Sequence, residues 1–228
     1  MRSYEDQKYF SDLMTPIGMS ICEGLSGLSK VSTAVLASQY EDRTQATDFK
    51  IIRTGSAVAF RVRNHDYLTM MNGKYKWSFT LRTHCRGYKT EFEKIMEGWG
   101  DYLFYSYANP DWSDFAHWFV VDLAEFRKYW SCVGDRWVKT TPGKRTDRYG
   151  SRQRDISYQA YIQPNKDRET MFMAIDIRTW PSNVIAHASD YINYDDDAPR
   201  IDDMFQDATY TPEIVTDTSL QAYLRQQK

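Results

Sequence analysis

The sequence has no long apolar run and few cysteines, and these two absences exclude several classes of protein. No stretch approaches the roughly 18 apolar residues that a membrane-spanning helix needs. The first ten residues, MRSYEDQKYF, lack the apolar segment of a secretion signal. The three cysteines lie far apart at Cys22, Cys85 and Cys132, and none belongs to a CxxC pair. We therefore expect neither a disulfide framework nor a structural zinc site, no membrane association, and a reducing, cytoplasmic location.

The sequence motifs of several common enzyme sites are missing as well. There is no glycine-rich phosphate loop, no GxSxG turn carrying a nucleophile and no HExxH zinc motif. A small-molecule enzyme of these classes therefore has little support. Hydrophobic residues make up 42% of the chain and aromatic residues 15%, which is ample material for a folded core.

Charge is unevenly distributed along the chain. Residues 183–228 hold nine acidic and three basic residues, a net charge of -6, so the preceding residues hold 22 acidic and 26 basic ones, a net charge of +4. Residues 136–154 contain seven basic residues and one acidic residue. We predict one globular domain over residues 1–182, with a basic loop at 136–154 that either contacts phosphate or is simply solvated, and an acidic tail at 183–228.

The segment from Thr47 to Arg63 predicts a β-hairpin with one charged face. A two-residue turn at Gly55-Ser56 sets Lys50 opposite Arg61. Side chains alternate along strands, so the basic residues share one face with Asp48 while the aliphatic and aromatic residues line the core. Two like charges in opposition normally cost stability, so we expect an anion between them, either a carboxylate of the protein or a phosphate.

Periodicity elsewhere predicts further helices and strands. We expect a helix over 4–28 that Pro16 and Gly18 break or kink, a helix or strand over 31–40, and a helix that starts with the capping box Thr90–Glu93. The remaining segments are strands over 76–83, 101–108, 116–121 and 170–178, and a helix from Asp122. The fold class that follows is α+β, an α/β sandwich with a mixed central sheet flanked by helices.

This order of elements resembles the core of the PD-(D/E)xK, or restriction-endonuclease-like, superfamily: helix, three-stranded meander, helix, strand. In that family an Asp opens the second strand and an acid-x-Lys follows on the third. Asp48 stands at the first position, and Arg61-Val62-Arg63 stands where the acid-x-Lys belongs. Residues 40–127 also resemble a group of phage-encoded proteins through Thr47-Asp48, the strand residues Phe79 to Arg82, and the segment from Thr90 to Tyr102.

The resemblance implies a nuclease-like protein that acts on nucleic acid, DNA in the first instance, in the cytoplasm of a phage host. It implies Asp48, Glu91 and Lys94 as catalytic residues, with Asp48 and Glu91 holding Mg²⁺ or Mn²⁺. Phosphate contacts are expected from basic residues of the strands and the basic loop, namely Lys50, Arg61, Arg63, Arg82, Lys144, Arg145, Arg148 and Arg152.

The sequence departs from this motif, which leaves alternatives open. Arginine provides no oxygen ligand, so a metal site needs a carboxylate from another element; the candidates are Glu23, Glu41, Asp42, Glu91 and Asp101. Without such a carboxylate, no cofactor and no cleavage are expected. The competing hypothesis is an inactive interaction protein on a nuclease scaffold, such as a host-defence inhibitor or a virion component, that engages a protein partner through its acidic tail.

Overall fold

A computed structural model of the protein describes residues 4–25, 33–45, 47–52, 54–73, 75–139, 160–165 and 170–194. The helices in these ranges are α1 (Tyr4–Gly24), α2 (Gln39–Gln45), α3 (Asp66–Thr69), α4 (Glu91–Met96) and α5 (Leu123–Trp137). The strands are β1 (Ala34–Leu36), β2 (Phe49–Ile51), β3 (Ser56–Arg63), β4 (Ser78–Cys85), β5 (Tyr102–Ala108), β6 (Phe115–Asp122), β7 (Val138–Lys139), β8 (Ala160–Pro164), β9 (Thr170–Asp176) and β10 (Ile185–Ala188).

The chain divides into two units, and each contains its own sheet. The first unit consists of Met1–Lys76, Lys94–Ala124 and Ile185–Tyr191. The second unit consists of Trp77–Glu93, Glu125–Val184 and Ile192–Lys228. The predicted α+β class is confirmed by a mixed six-stranded sheet with accompanying helices in the first unit. Within the described ranges, every helix is too short or too polar to traverse a lipid bilayer.

The sheet of the first unit has the order β1-β2-β3-β5-β6-β10. Strands β3 and β5 are parallel, with Val58 opposite Tyr102, and the other neighbours are antiparallel. One face of this sheet is apolar and packs against α1; its buried strand residues are Phe49, Ile51, Val58, Phe60, Phe104 and Val120.

Helix α1 is continuous through Pro16, so the predicted break at Pro16 or Gly18 is wrong. Proline removes one backbone hydrogen bond, but every fourth residue of the helix is buried against the sheet: Phe10, Met14, Gly18 and Cys22. Gly18 serves close packing. A Cβ atom added there would lie 2.5 Å from Cε2 of Phe60.

The predicted three-stranded meander is also corrected. The strand predicted at 76–83 is β4, but it pairs with β9 in the four-stranded sheet β4-β9-β8-β7 of the second unit. The antiparallel run of the first unit is instead β1-β2-β3, and the next strand beside it is β5. Alternation along β4 indicated which residues are buried, but it carries no information about which strand lies alongside.

Helix capping at α4 follows the predicted pattern, and Asp122 caps α5, the helix predicted to start there. Glu93 accepts a hydrogen bond from the Thr90 N–H at 2.7 Å, and the Thr90 hydroxyl accepts one from the Glu93 N–H at 3.2 Å. At α5, Asp122 accepts from the Ala124 N–H, whereas Glu125 bonds to Lys128 and Asn183.

Phe79, Phe126 and Trp180 pack together in the core of the second unit, with ring centroids 5.0–5.7 Å apart.

Candidate functional site

The β2–β3 hairpin has a different register from the predicted one. Lys50 lies opposite Ala57, not Arg61, and the connection spans four residues between Ile51 and Ser56. Gly55 closes this turn with a φ of 71° and donates its N–H to the Ile51 carbonyl at 2.8 Å. The partner of Lys50 differs from the predicted one by four positions. Side chains alternate along a strand with a period of two, so an even shift leaves each side chain on its predicted face. The predicted opposition of Lys50 to Arg61 and of Asp48 to Arg63 is therefore wrong, while the charged and apolar faces of the hairpin are confirmed.

Asp48 continues the hydrogen-bonding ladder just before β2. Its N–H donates to the Val58 carbonyl at 2.9 Å, and its carboxylate Oδ2 accepts from the Phe60 N–H at 2.6 Å. The second bond takes the place of a strand-to-strand bond at the start of β2. Asp48 thus has a structural role that operates whether or not it contacts a ligand.

Lys50 is balanced by a carboxylate of the protein. Its Nζ lies 2.7 Å from Oε1 of Glu41, whose other oxygen accepts from the N–H and hydroxyl of Ser38. The bonds from Lys50 and then from Ser38 lower the pKa of Glu41 to about 2. The expected anion at Lys50 is therefore a carboxylate from α2, one of the two alternatives that the sequence left open.

Arg63, at the end of β3, is held by tyrosines. It donates to the Tyr105 hydroxyl at 3.0 Å, and its guanidinium carbon lies 4.0 Å from the ring centroid of Tyr67. Burial opposes the charge, but Tyr105, Tyr107 and Tyr67 outweigh burial and raise the pKa of Arg63 above its ordinary value. Arg61 is half-buried two residues earlier, and its carbonyl accepts from the Ser106 hydroxyl at 3.2 Å.

These residues belong to one surface of the first-unit sheet, opposite the apolar face. We call it the polar face, and its members are Asp48, Lys50, Arg61, Arg63, Tyr105, Tyr107 and His117. The register aligns Arg61 with Tyr105, Arg63 with Tyr107, and Tyr107 with His117. Tyr105, Tyr107 and His117 were not among the predicted site residues, because the sequence of β5 and β6 indicated only aromatic strands. Strict alternation along both strands was the signal that these side chains share a face.

The carboxylates considered as metal ligands are engaged in separate places. Glu23 accepts from the Ala34 N–H at 2.6 Å, and Asp101 accepts from the Ala57 N–H at 2.7 Å. Glu41 pairs with Lys50, and Asp42 lies exposed on α2. In the described part of the chain, no group of three His, Cys, Asp or Glu side chains is arranged to hold a metal ion. We therefore derive no metal-dependent step from the described residues.

The other predicted site residues are divided between the units or lie outside the described ranges. Lys94 belongs to the first unit and donates to the Asp42 carbonyl at 3.3 Å. Arg82 and Glu91 belong to the second unit, where Arg82 is exposed on β4 and Glu91 is half-buried at the start of α4. The predicted basic loop begins within α5 and β7, and Lys144, Arg145, Arg148 and Arg152 lie outside the described residues.

Comparison of this chain with models of known families, with curated protein sequences and with solved structures finds no match.

Proposed function

We propose that this chain is a nuclease-like nucleic-acid-binding protein of phage type that contacts phosphates through basic residues of the polar face. Arg82 and the basic residues Lys144, Arg145, Arg148 and Arg152 are the proposed additional phosphate contacts, and DNA is the proposed ligand. We also propose a cytoplasmic location, in the host cell of the phage.

The order of elements in the chain carries this proposal. Helix α1 is followed by β1, α2, β2 and β3, whose strands form the antiparallel run β1-β2-β3. After α3, β4 and α4 comes β5, which is parallel to β3. Asp48 opens the second strand of this run, and Arg61 and Arg63 end the third. These are the positions that the restriction-endonuclease-like resemblance assigns to its essential Asp and to its acid-x-Lys.

The basic residues of the polar face differ in their proposed roles. Lys50 already faces Glu41, and Arg63 is stacked and hydrogen-bonded by tyrosines. Arg61 is half-buried at the position of β3 where the resemblance places the acid of its acid-x-Lys, and we propose it as the main phosphate contact of this face. Arg63 then acts mainly by adding positive potential, because its guanidinium stays charged at any physiological pH.

Binding to a short labelled DNA duplex tests the proposal. Phosphate contacts release counterions, so affinity should fall steeply between about 50 and about 200 mM salt. Arg61→Ala should weaken binding more than Lys8→Ala, which removes an exposed lysine on α1 that pairs with Asp12. Affinity that does not change with salt would remove the electrostatic basis of the proposal.

Cleavage requires a separate experiment. If the protein cuts nucleic acid by the family mechanism, Mg²⁺ or Mn²⁺ must be required and Asp48→Ala must abolish turnover. Asp48→Asn is the better variant, since its amide oxygen can still accept from the Phe60 N–H while the charge is lost. Full activity in excess chelator would exclude this mechanism, and binding without cleavage leaves the proposed function intact.

A second candidate function, an inactive interaction protein, is favoured by exposed apolar side chains around β1. Leu36, Tyr40 and Ile52 are exposed by 67%, 69% and 60%, and β1 pairs only with β2 among the described strands. Deletion of residues 195–228, which lie in the acidic tail through which the second function is proposed to engage its partner, separates the two functions. Nucleic-acid binding should survive the deletion under the first proposal, whereas loss of assembly with a protein partner and absence of nucleic-acid binding support the second.

A further inference from the structure

His117 on β6 is a buried histidine bound to a carboxylate from a distant part of the chain. Its side chain is 1% exposed, and Nδ1 lies 3.0 Å from Oδ2 of Asp190. Only the Nδ1–H tautomer can donate to a carboxylate, so the contact assigns the proton to that nitrogen. The same Asp190 oxygen lies 2.7 Å from Nζ of Lys76. One carboxylate therefore joins three segments that are remote in sequence.

Further hydrogen bonds fasten the same segments beside this carboxylate. The Tyr107 hydroxyl donates to the Tyr75 carbonyl at 2.6 Å, and the ring of Tyr107 stacks on that of His117 at 5.8 Å. On the other side, the Ser189 N–H donates to the Trp118 carbonyl at 2.9 Å, and the Ser189 hydroxyl accepts from the Trp118 N–H at 3.0 Å. Strands β5 and β6 thus anchor both Tyr75-Lys76 and Ser189-Asp190.

The two anchored segments are two of the three places where the chain leaves the first unit; the third is at Ala124. Lys76 is the last residue of the first stretch of that unit, and Tyr191, next to Asp190, is the last residue of its third stretch. Asp190 binds Lys76 directly, so these two exits are also tied to each other. The bridge therefore connects these two exits to the sheet of the first unit through His117.

We propose that Asp190 is the bridging member of an acid-sensitive latch that fastens these two exit segments of the first unit to the buried ring of His117. The groups that face this ring are Asp190 and Ser189 from the segment after β10, Lys76 from the segment before β4, Tyr107 from β5 and Phe119 from β6. A proton added to the ring places a second positive charge close to Lys76 in a buried site, and a proton added to Asp190 removes the bridging charge.

The direction of the pH effect follows from the two groups. Burial, and then Lys76, lower the pKa of His117 to about 4. In the unfolded chain the same ring takes up its proton near pH 6.5, so the latch loses stability as the pH falls from about 6.5 towards about 4. The bonds from Lys76 outweigh burial and lower the pKa of Asp190, so its contribution is lost only at still lower pH.

NMR titration of the histidine rings in the full chain measures the latch directly. In the wild type, His117 should stay neutral to below about pH 5, whereas an unperturbed histidine takes up its proton near pH 6.5. Lys76→Met removes the nearest positive charge, so the His117 midpoint should rise by about one pH unit. A wild-type midpoint near 6.5, or the same midpoint in both proteins, would overturn the proposal.

Amide hydrogen exchange measures whether the exits are released. Protection of the Lys76 N–H, which bonds to Gly73, and of the Ser189 N–H should fall about tenfold in Asp190→Asn, and a similar loss should occur in the wild type between pH 7 and pH 5. Protection of the Gly98 N–H, which bonds to Ile95, should not change, and Asp12→Asn should leave all three amides protected. Unchanged protection at Lys76 and Ser189 in the acidified wild type would contradict the latch, even if Asp190→Asn did not fold.

Discussion

The two faces of the six-stranded sheet of the first unit are built on different principles. The apolar face is filled by residues that alternate along each strand and pack against α1, with Phe104 and Phe49 fully buried. The polar face also buries large residues, including Tyr105 and Tyr107, and several of its polar groups bond to partners from other segments, as Arg63 does to Tyr105 and Tyr107 does to Tyr75. The first face is therefore held mainly by apolar packing, whereas the second combines burial with specific bonds between residues that are remote in sequence.

The largest expected difference between the faces comes from shortening one side chain on each. Phe104→Ala empties a fully buried site and should lower the free energy of unfolding by about 3–5 kcal/mol. Tyr105→Phe removes only the hydroxyl that accepts from Arg63 and should lower it by about 1 kcal/mol. Urea denaturation of both variants makes the comparison. Equal losses in the free energy of unfolding would show that the apolar face does not depend on packing more strongly than the polar face depends on the bond from Arg63 to Tyr105.

The contact between α1 and β3 gives the next largest effect. Gly18→Ala places a methyl group against the Phe60 ring and should destabilise the protein by about 1–3 kcal/mol. In the double variant Gly18→Ala with Phe60→Leu, the smaller leucine side chain leaves room for the added methyl group, so part of this loss should be recovered. Thermal unfolding measures both. Stabilisation by about 1 kcal/mol in the single variant, as helix propensity alone predicts, would show that the helix and strand are not in tight contact there.

Asp48 gives an effect of intermediate size on the polar face. Asp48→Ala leaves the Phe60 N–H without its acceptor and should lower the free energy of unfolding by about 1–3 kcal/mol. Asp48→Asn keeps an acceptor oxygen and should cost less. Chemical denaturation of the two variants separates the hydrogen bond from the charge; equal costs would mean that the charge, and not the bond to β3, matters for stability.

The smallest effect concerns the partly exposed pair of Lys50 and Glu41. Since the folded state lowers the pKa of Glu41 to about 2, its stabilising contribution is present above the ordinary value of 4.5 and is lost as the pH falls from there towards 2. Glu41→Gln should flatten the dependence of the melting temperature on pH in that window. Asp12→Asn, at another exposed pair with a lysine, is the control. A pH profile identical to that of the wild type would contradict the pairing.

The apolar face could be predicted from the sequence and the polar face only in part. Alternation between Phe49 and Val62 identified the buried side correctly, because it depends on the strand period alone. The predicted register of the β2–β3 hairpin was wrong, because the sequence favoured a two-residue turn at Gly55-Ser56. The local pattern also does not show that Glu41 from α2 meets Lys50. For the same reason, His117 gave no sign that Asp190, far away in the chain, would bind it.

The strand partners were the other feature that local patterns could not supply. Residues 76–83 were predicted as a half-buried strand after the β2–β3 hairpin, and proximity in sequence favoured a meander. The structure instead pairs β3 with β5 and pairs β4 with β9. This choice depends on which pairing buries the faces of all strands together, a property of the whole chain.

The salt dependence of nucleic-acid binding by Arg61→Ala tests the central claim of the proposed function most directly. If Arg61 contacts a phosphate, the slope of log Kd against log salt should be smaller than that of the wild type by about one, while Lys8→Ala should leave the slope close to that of the wild type. Arg61→Ala and Lys8→Ala proteins with the wild-type slope would contradict the assignment of the polar face as a phosphate-binding surface.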